Sequence, residues 1–247
     1  MSELFPAKSI AVEVVACTDP TREGEFNYWH DKTRVPYLRR ASGIVDVYRY
    51  RDVQPDLGEE FKRFTAASGD FTRYLTVYRI NDTDPWGVMQ RLKQEETRDG
   101  GMMDCAAVQD LTVWDFVATR TTIRATDRRE THLPDGMPEA LLLYYSNHDP
   151  ARKIDHDDWW LYTHAHDLLE TPGLVQCSRY HNLNPNPAEK EAKILNVYEI
   201  DADDPDAVLL RVLQDDRDVR RPQGRFSSFS REGDWHGTGL YRHWDLM

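Results

Sequence analysis

A histidine and an arginine lie four residues apart in a segment whose apolar residues have helical spacing. His30 and Arg34 therefore share one face of the predicted helix, and Asp31 lies beside them. A histidine next to a guanidinium can bind an anionic or enolisable substrate and remove a proton from it. The alternative is a solvated or ion-paired helix face. His30 is thus a candidate base, and Asp31 and Arg34 are candidate substrate contacts.

A second segment with the same spacing carries two more histidines. His164 follows Trp160 by about one turn of the predicted helix, whereas His166 points to another face. His164 is either a second candidate base or a packed histidine, and His166 is a candidate substrate contact. The nearby acids Asp155 and Asp157 make a zinc or iron site conceivable. Because the spacings match no closed set of ligands, no metal is predicted.

Four aromatic residues complete the candidate site. Trp29 and Trp159 precede the histidine positions in the two helices, and Tyr78 and Tyr198 occupy equivalent places in two predicted strands. Such side chains belong either to the core or to the wall of a cavity for a planar ligand. The sequence contains no phosphate-binding glycine motif and no nucleophile elbow, so neither nucleotide binding nor serine hydrolysis is indicated.

These residues are positioned by an internal repeat. Residues 9–53 align without a gap on 139–183, with ten identities in 45 positions. Residues 73–94 align on 193–214, with nine identities in 22 positions. A match of this extent indicates that the chain consists of two copies of one unit, joined in tandem.

Each copy reads as the element order βαββαβ. Apolar runs rich in β-branched and aromatic residues predict four strands per copy, at 9–16, 44–51, 74–80 and 111–118, and at 139–146, 174–181, 194–200 and 240–247. Helical spacing between turn signals predicts helices at 22–40, 85–95, 152–170 and 205–218. An antiparallel sheet with two helices on one face fits this order, and a second copy can cover the other face.

The predicted fold class is therefore α+β, with two ferredoxin-like units that close into one barrel within the chain. The first unit spans 1–118 and the second 139–247, and the polar segment 119–138 is the predicted linker. Insertions of ten residues, near 54–70 and 222–239, are predicted to be loops at the rim of the pockets.

Composition restricts the partners. The formal net charge is −12, from 43 acids against 31 lysines and arginines, which disfavours nucleic acid and anionic membranes. No signal peptide and no membrane span are indicated. Three cysteines without close spacing argue against a disulfide framework, so a cytoplasmic protein with reduced thiols is expected. The expected partner is a small-molecule substrate, and the pseudo-dimer within one chain leaves a further homodimer possible.

Residues 26–51 read FNYWHDKTRVPYLRRASGIVDVYRYR and residues 73–80 read RYLTVYRI. Together they resemble the dimeric α/β-barrel superfamily in its EthD-like branch. Members often carry a helix motif F-x-x-W-Y-D-x-x-H-x-P, a Pro-Gly helix stop and an Arg-Tyr-Arg strand. In this sequence Arg34 stands at the motif histidine of the first copy, and His164 retains it in the second. Members include cyclases, isomerases, monooxygenases, degradation-pathway proteins and some haem enzymes.

The hypothesis that follows is a cofactor-independent lyase, isomerase or cyclase acting on a small aromatic or polyketide-like carbonyl compound. His30 or His164 would be the base, and an arginine or tyrosine would hold the developing oxyanion. No cofactor is expected. The alternatives are a non-catalytic small-molecule-binding accessory protein and a cofactor-free monooxygenase.

Overall fold

A computed structural model describes residues 8–53, 73–98, 101–121, 138–147, 150–184, 193–224 and 235–243. The predicted insertion at 54–70 and most of the predicted linker lie outside these residues. Within them, no helix is both long and apolar enough to cross a membrane.

The first half of the chain has the predicted element order. Its strands are β1 (Ser9–Cys17), β2 (Ile44–Val53), β3 (Arg73–Ile80) and β4 (Ala106–Thr121). Its helices are a 3₁₀ turn (Pro20–Arg22), α1 (Glu23–Trp29), a π-helical turn (His30–Arg34), α2 (Val35–Leu38) and α3 (Pro85–Arg98).

The second half repeats that order. Its strands are β5 (Ala140–Ser146), β6 (Leu174–Asn182), β7 (Ile194–Ile200) and β8 (Trp235–His243). Its helices are a 3₁₀ turn (Pro150–Arg152), α4 (Lys153–Trp159), a π-helical turn (Trp160–His164), α5 (Ala165–Leu168), α6 (Pro205–Asp215) and a further π-helical turn (Asp216–Arg220).

The strands form one closed antiparallel barrel in the order β1-β3-β2-β8-β5-β7-β6-β4. The fourth strand of each half joins the other half, since β4 pairs with β6 and β8 pairs with β2. This confirms the predicted α+β fold of two ferredoxin-like units in one barrel. The prediction of a loop across 222–239 is wrong in part, because β8 begins at Trp235 and takes up the end of that segment.

Alternation along the strands divides the side chains between two layers. In β1, Ile10, Val12 and Val14 belong to the core inside the barrel, whereas Ala11 and Val15 face the helices. The interior core combines residues of both halves, such as Val77 and Leu143. The second copy thus covers the sheet face that one unit alone would leave in water.

The strand register corrects the gapless alignment of the two copies. Glu13 of β1 pairs with Thr76 of β3. Asn196 of β7 is the equivalent of Thr76 in the second copy, and it pairs with Tyr144 of β5. In the gapless sequence alignment, by contrast, the residue equivalent to Glu13 is Leu143. A slip of one residue moves a side chain to the other face of a strand, so Leu143 lies inside the barrel and Glu13 faces the helices.

The first helix of each half contains a π-helical turn where the sequence predicts a continuous helix. The backbone N–H of Val35 donates to the carbonyl of His30, and that of Ala165 to Trp160, so each turn spans five residues. Such turns are frequent at functional sites. In the first half the turn buries both His30 and Arg34 against the sheet.

Two glycines fix the turns between the first helix and the second strand of each half. Gly43 and Gly173 have φ of 90° and 93°. A Cβ at Gly43 would lie 2.8 Å from Cγ2 of Val88, and one at Gly173 would lie 2.7 Å from Cγ2 of Val208. Both the left-handed backbone and the close approach therefore require glycine.

We predict that Gly43→Ala and Gly173→Ala each lower the free energy of unfolding by about 1–3 kcal/mol in urea titrations. Gly24→Ala is the control, because no atom lies within 4 Å of its added Cβ. It lies in α1 and should leave stability unchanged or raise it by up to about 1 kcal/mol. Equal stability of all three variants would contradict the assigned strain.

Candidate functional site

A cavity of about 100 Å³ lies between the helices and the sheet of the first half. Its polar lining consists of Glu13 from β1, Tyr78 from β3, and Lys93 and Glu96 from α3. Leucine, methionine and valine side chains form the remaining walls. The cavity thus combines apolar walls with carboxylates at one end, which is the usual composition of a ligand site.

The carboxylates are held by one buried arginine. Nη1 and Nη2 of Arg34 donate to Oε2 and Oε1 of Glu13 at 2.8 and 2.9 Å. Nε and Nη2 donate to Oε1 and Oε2 of Glu96 at 2.8 and 3.2 Å. Arg34 and Glu13 are each 3% exposed, so this is a buried ion triad with bidentate geometry on both sides.

The charges in the triad fix one another. Burial raises the pKa of Glu13, but the charge and hydrogen bonds of Arg34 outweigh it and leave that pKa below its ordinary value. Burial acts against the charge of Arg34, but Tyr78, Glu13 and Glu96 keep its pKa well above the ordinary value. Glu13 and Arg34 are therefore both ionised at neutral pH.

This geometry weighs against the predicted anion-binding role of Arg34. Its guanidinium directs its donors to Glu13, Glu96 and the ring of His30, so no pair of N–H groups remains for a carboxylate or enolate. A second anion would also meet the two carboxylates. Arg34 positions Glu13 and Glu96 and does not itself line the cavity.

Tyr78 connects the triad to the cavity. Its hydroxyl donates to Oε2 of Glu13 at 2.7 Å, and the side chain is 1% exposed. Burial raises the pKa of Tyr78 well above its ordinary value, with a smaller contribution from Glu13 in the same direction. The hydroxyl therefore remains protonated and acts as a hydrogen-bond donor.

His30 lies behind the triad and does not line the cavity. Its Nε2 lies 3.3 Å from Nη1 of Arg34 and from Oγ1 of Thr76. Since a guanidinium only donates, Nε2 is the acceptor, and the proton is assigned to Nδ1, 3.6 Å from Oδ1 of Asp31. Asp31 accepts a hydrogen bond from Arg49 at 2.8 Å. His30 and Asp31 thus contact Arg34, Thr76 and Arg49 and not the cavity.

Trp29 is only half-buried, beside the triad. Its ring lies edge-on to the ring of His30, with centroids 5.9 Å apart, and the guanidinium of Arg34 lies 5.9 Å from its centroid. The indole thus screens the charged cluster from water on the helix side.

In the second half, no ion triad occupies the corresponding positions. Trp160 occupies the helix position of His30 and packs in one cluster with Tyr198, Cys177 and Leu209. Burial raises the pKa of Tyr198 far above its ordinary value. The structure therefore places the two equivalent tyrosines in different surroundings: Tyr78 at a cavity, Tyr198 in a core.

The remaining predicted residues of the second half lie apart from this core or at its edge. His164 is half-buried and stacks on Trp159, with ring centroids 4.8 Å apart. His166 has a side chain that is 54% exposed. Potential metal-ligating atoms of His166, Asp167 and Glu170 lie within 4.8 Å of one another near the end of this helix.

Sequence reasoning missed Glu13, Glu96 and Lys93. A signal for Glu13 was present, since it is the one acid in the apolar strand sequence SIAVEVVA. A buried acid in such a strand indicates a partner of opposite charge. No signal singled out Glu96 among the charged residues of α3, because its role arises from a contact with Arg34 across 62 residues.

The two helix histidines predict a pH dependence of stability. Burial lowers the pKa of His30 to about 4, opposed by Asp31 and assisted by Arg49 and Arg34. Burial, Arg220 and Arg179 lower the pKa of His164 to about 3. Both are neutral when folded, whereas the unfolded chain takes up protons below pH 6.5. Stability is therefore full above that pH and falls as the pH is lowered.

We predict that the free energy of unfolding falls by up to about 2 kcal/mol per histidine between pH 6.5 and 5. This window stays above the ordinary pKa of Glu13. His30→Gln should remove its share of this slope, measured as urea unfolding across the window. His166→Gln is the exposed control and should retain the full slope. A parallel slope in the parent and His30→Gln would show that His30 is not held neutral by the fold.

No family model matches the chain, and no curated protein sequence matches it. Solved structures do. A putative monooxygenase of Fusobacterium nucleatum is 8% identical over 97% of this chain and 94% of that chain, with a TM-score of 0.51. A mutant chlorite dismutase of Candidatus Nitrospira defluvii is 12% identical over 98% and 94%, with a TM-score of 0.58. A dye-decolorizing peroxidase of Bacteroides thetaiotaomicron is 11% identical over 96% and 92%, with a TM-score of 0.57.

These comparisons contradict the hypothesis of a cofactor-independent lyase, isomerase or cyclase, because chlorite dismutases and dye-decolorizing peroxidases depend on haem. The monooxygenase alternative is supported only weakly, by the putative monooxygenase. At such low identities the similarity establishes the fold and not the reaction. The chain has the ferredoxin-like dimeric α/β-barrel fold that these redox enzymes also have.

Proposed function

We propose that this chain is an enzyme whose active site is the helix–sheet cavity of its first half, and that its substrate is a small, neutral, hydroxylated compound. The observation that carries the proposal is the ionised carboxylate of Glu13, buried at the cavity wall and fixed by Arg34. The fold shared with a monooxygenase, chlorite dismutases and peroxidases favours an oxidoreductase, and this class rests on analogy of fold.

Charge and size define the substrate class. The carboxylates of Glu13 and Glu96 are balanced by Arg34 and Lys93, so the four formal charges around the cavity cancel. A neutral ligand is therefore favoured, and carboxylate oxygens favour one that donates hydrogen bonds. A cavity of about 100 Å³ is well below the ~300–1,000 Å³ of drug-sized sites and closer to the ~150 Å³ that accepts benzene. One ring with a hydroxyl group suits this space.

The residues of this chain then have distinct roles. Glu13 accepts a hydrogen bond from the substrate hydroxyl, and Tyr78 holds the second edge of that carboxylate. Arg34 holds both carboxylates in a fixed position, since it contacts each with two donors. The leucine, methionine and valine walls exclude water, which strengthens these polar contacts.

Haem does not fit either described helix–sheet layer. The first-half cavity is several times smaller than a drug-sized site and carries two carboxylates. In the second half the side chains of Trp160, Cys177 and Tyr198 fill the layer, each less than 5% exposed. An oxidoreductase reaction therefore needs its redox group elsewhere.

We also infer that the two halves arose by duplication of one EthD-like unit, with units at 1–118 and 139–247 and a linker at 119–138. The repeated identities support this, as do the equal strand pairings β1–β3–β2 and β5–β7–β6. The glycine turns at Gly43 and Gly173 are a further shared detail. On this account the second half kept the frame and lost the polar site.

Phenol is the probe that tests the proposed function. We expect it to bind the parent protein, measured by calorimetry and by a shift in Tm. Leu111→Trp should abolish binding, because Leu111 lines the cavity and an indole would fill it. Tyr78→Phe should weaken binding by about 10-fold, since the hydroxyl of Tyr78 no longer holds the carboxylate of Glu13 in the position that accepts the phenol hydroxyl.

Tyr198→Phe is the matched control, because it removes the same hydroxyl from the equivalent strand position of the second half. It should leave phenol affinity unchanged. Circular dichroism verifies folding of each variant. If phenol and related one-ring alcohols bind the parent and Leu111→Trp equally, or bind neither, the cavity is not the substrate site.

A further inference from the structure

Two of the three cysteines meet at one end of the first-half layer. Cys17 is the last residue of β1, and Cys105 lies in the turn just before β4. They are 3% and 5% exposed and belong to one cluster with Phe26 and Tyr74. The third, Cys177, is buried in the layer of the second half. All three are free thiols.

The backbone places the pair within disulfide range. Cys17 is the register partner of Ala106, so Cys105 is its diagonal neighbour. A strand spacing of about 5 Å and a rise of about 3.4 Å give a Cα separation of about 6 Å, which disulfides span without distortion. The N–H of Thr18 donates to the carbonyl of Cys105 at 2.8 Å and holds the turn against the strand. The thiol of Cys17 donates to the carbonyl of Asp19 at 3.1 Å. Burial is the larger cause that raises the pKa of the Cys105 thiol, and the proximity of Cys17 raises it further.

We propose that Cys17 and Cys105 form a reversible disulfide when the protein meets a peroxide. One thiolate attacks the peroxide, so an S–O bond forms, the O–O bond breaks and hydroxide leaves as water after protonation. The second thiol then attacks the sulfenic sulfur, an S–S bond forms and a second water leaves. Two thiols lose two electrons in total, and one peroxide gains them.

The turn that carries Cys105 provides the access. It lies at the surface, since the side chain of Asp104 is 81% exposed and Gly101 is also exposed. Local opening of such a turn costs little compared with global unfolding. Burial raises the pKa of the Cys105 thiol, so oxidation should be faster at higher pH. Met102 of the same turn lines the cavity, so the disulfide would also fix one wall there, a consequence that rests on the proposed function.

The test treats the folded protein with hydrogen peroxide at pH 7 and 8.5 and counts free thiols. We expect the count to fall from three to one, with a mass lower by about 2 Da and a linked peptide joining Cys17 and Cys105. Dithiothreitol should restore all three thiols. The oxidised form should have a Tm higher by on the order of 5 °C, because the bond closes a long loop.

Three variants make the result specific. Cys177→Ser should still lose both remaining thiols together, whereas Cys17→Ser and Cys105→Ser should form no linked peptide and show no mass loss of about 2 Da. Circular dichroism verifies that each variant is folded. The proposal is overturned if peroxide leaves all three thiols of the parent intact at both pH values. It is also overturned if the linked peptide contains Cys177, or if oxidation stops at sulfinic acid. None of these outcomes depends on phenol binding.

Discussion

The structure of the first half depends on one guanidinium between two carboxylates. Arg34 reaches Glu13 in the middle of β1 and Glu96 near the end of α3, so a single side chain joins the sheet and both helices of its layer. Buried charges are costly unless they are paired in good geometry, and here both pairs are bidentate. The acid in β1 and the polar end of the cavity follow from this triad, whereas His30 is neutral chiefly because it is buried.

The second half shows the same frame without the triad. Tyr144 stands at the strand position of Glu13, His164 at the sequence position of Arg34 and Trp160 at that of His30. At these three positions no ion triad forms, and aromatic and aliphatic side chains pack around Trp160, although the buried Arg179 lies 5.3 Å from its ring centroid. Both halves have a hydrophobic core between helices and sheet, and in the first half a cavity lies beside the carboxylates of Glu13 and Glu96. A fold shared with redox enzymes does not determine the reaction, so the residues of the site must identify it.

Much of the architecture was predictable from the sequence, because local signals and the repeat agree. Strand alternation, the Asp-Pro helix starts and the glycine turns at Gly43 and Gly173 predict the element order in both copies. The site was predictable only in part. Helical spacing places His30 and Arg34 on one face, but it does not reveal that Glu13 and Glu96 occupy the guanidinium. Those contacts cross 21 and 62 residues of sequence.

Two further features of the fold could not be predicted from the sequence, for physical reasons. The π-helical turns at His30–Arg34 and Trp160–His164 leave no distinct sequence pattern, since they depend on packing against the sheet. The one-residue offset between β1 and β5 could not be detected in the sequence, because aligning the two strands with or without that offset places apolar residues on apolar faces. Only an acid such as Glu13 makes the faces distinguishable.

A double-mutant cycle between Glu13 and Arg34 tests the central claim most directly. Free energies of unfolding would be measured in urea for the parent, Glu13→Leu, Arg34→Met and the double variant. We expect Arg34→Met to lose about 3–5 kcal/mol, since it leaves the buried charge of Glu13 without its partner. Glu13→Leu should lose about 2–3 kcal/mol, since Arg34 and Tyr78 lose an acceptor while Arg34 keeps Glu96. The double variant should lose at least about 2 kcal/mol less than the sum of the two. Losses that add within about 0.5 kcal/mol would mean that the two side chains act independently, and would contradict the triad as the basis of the site.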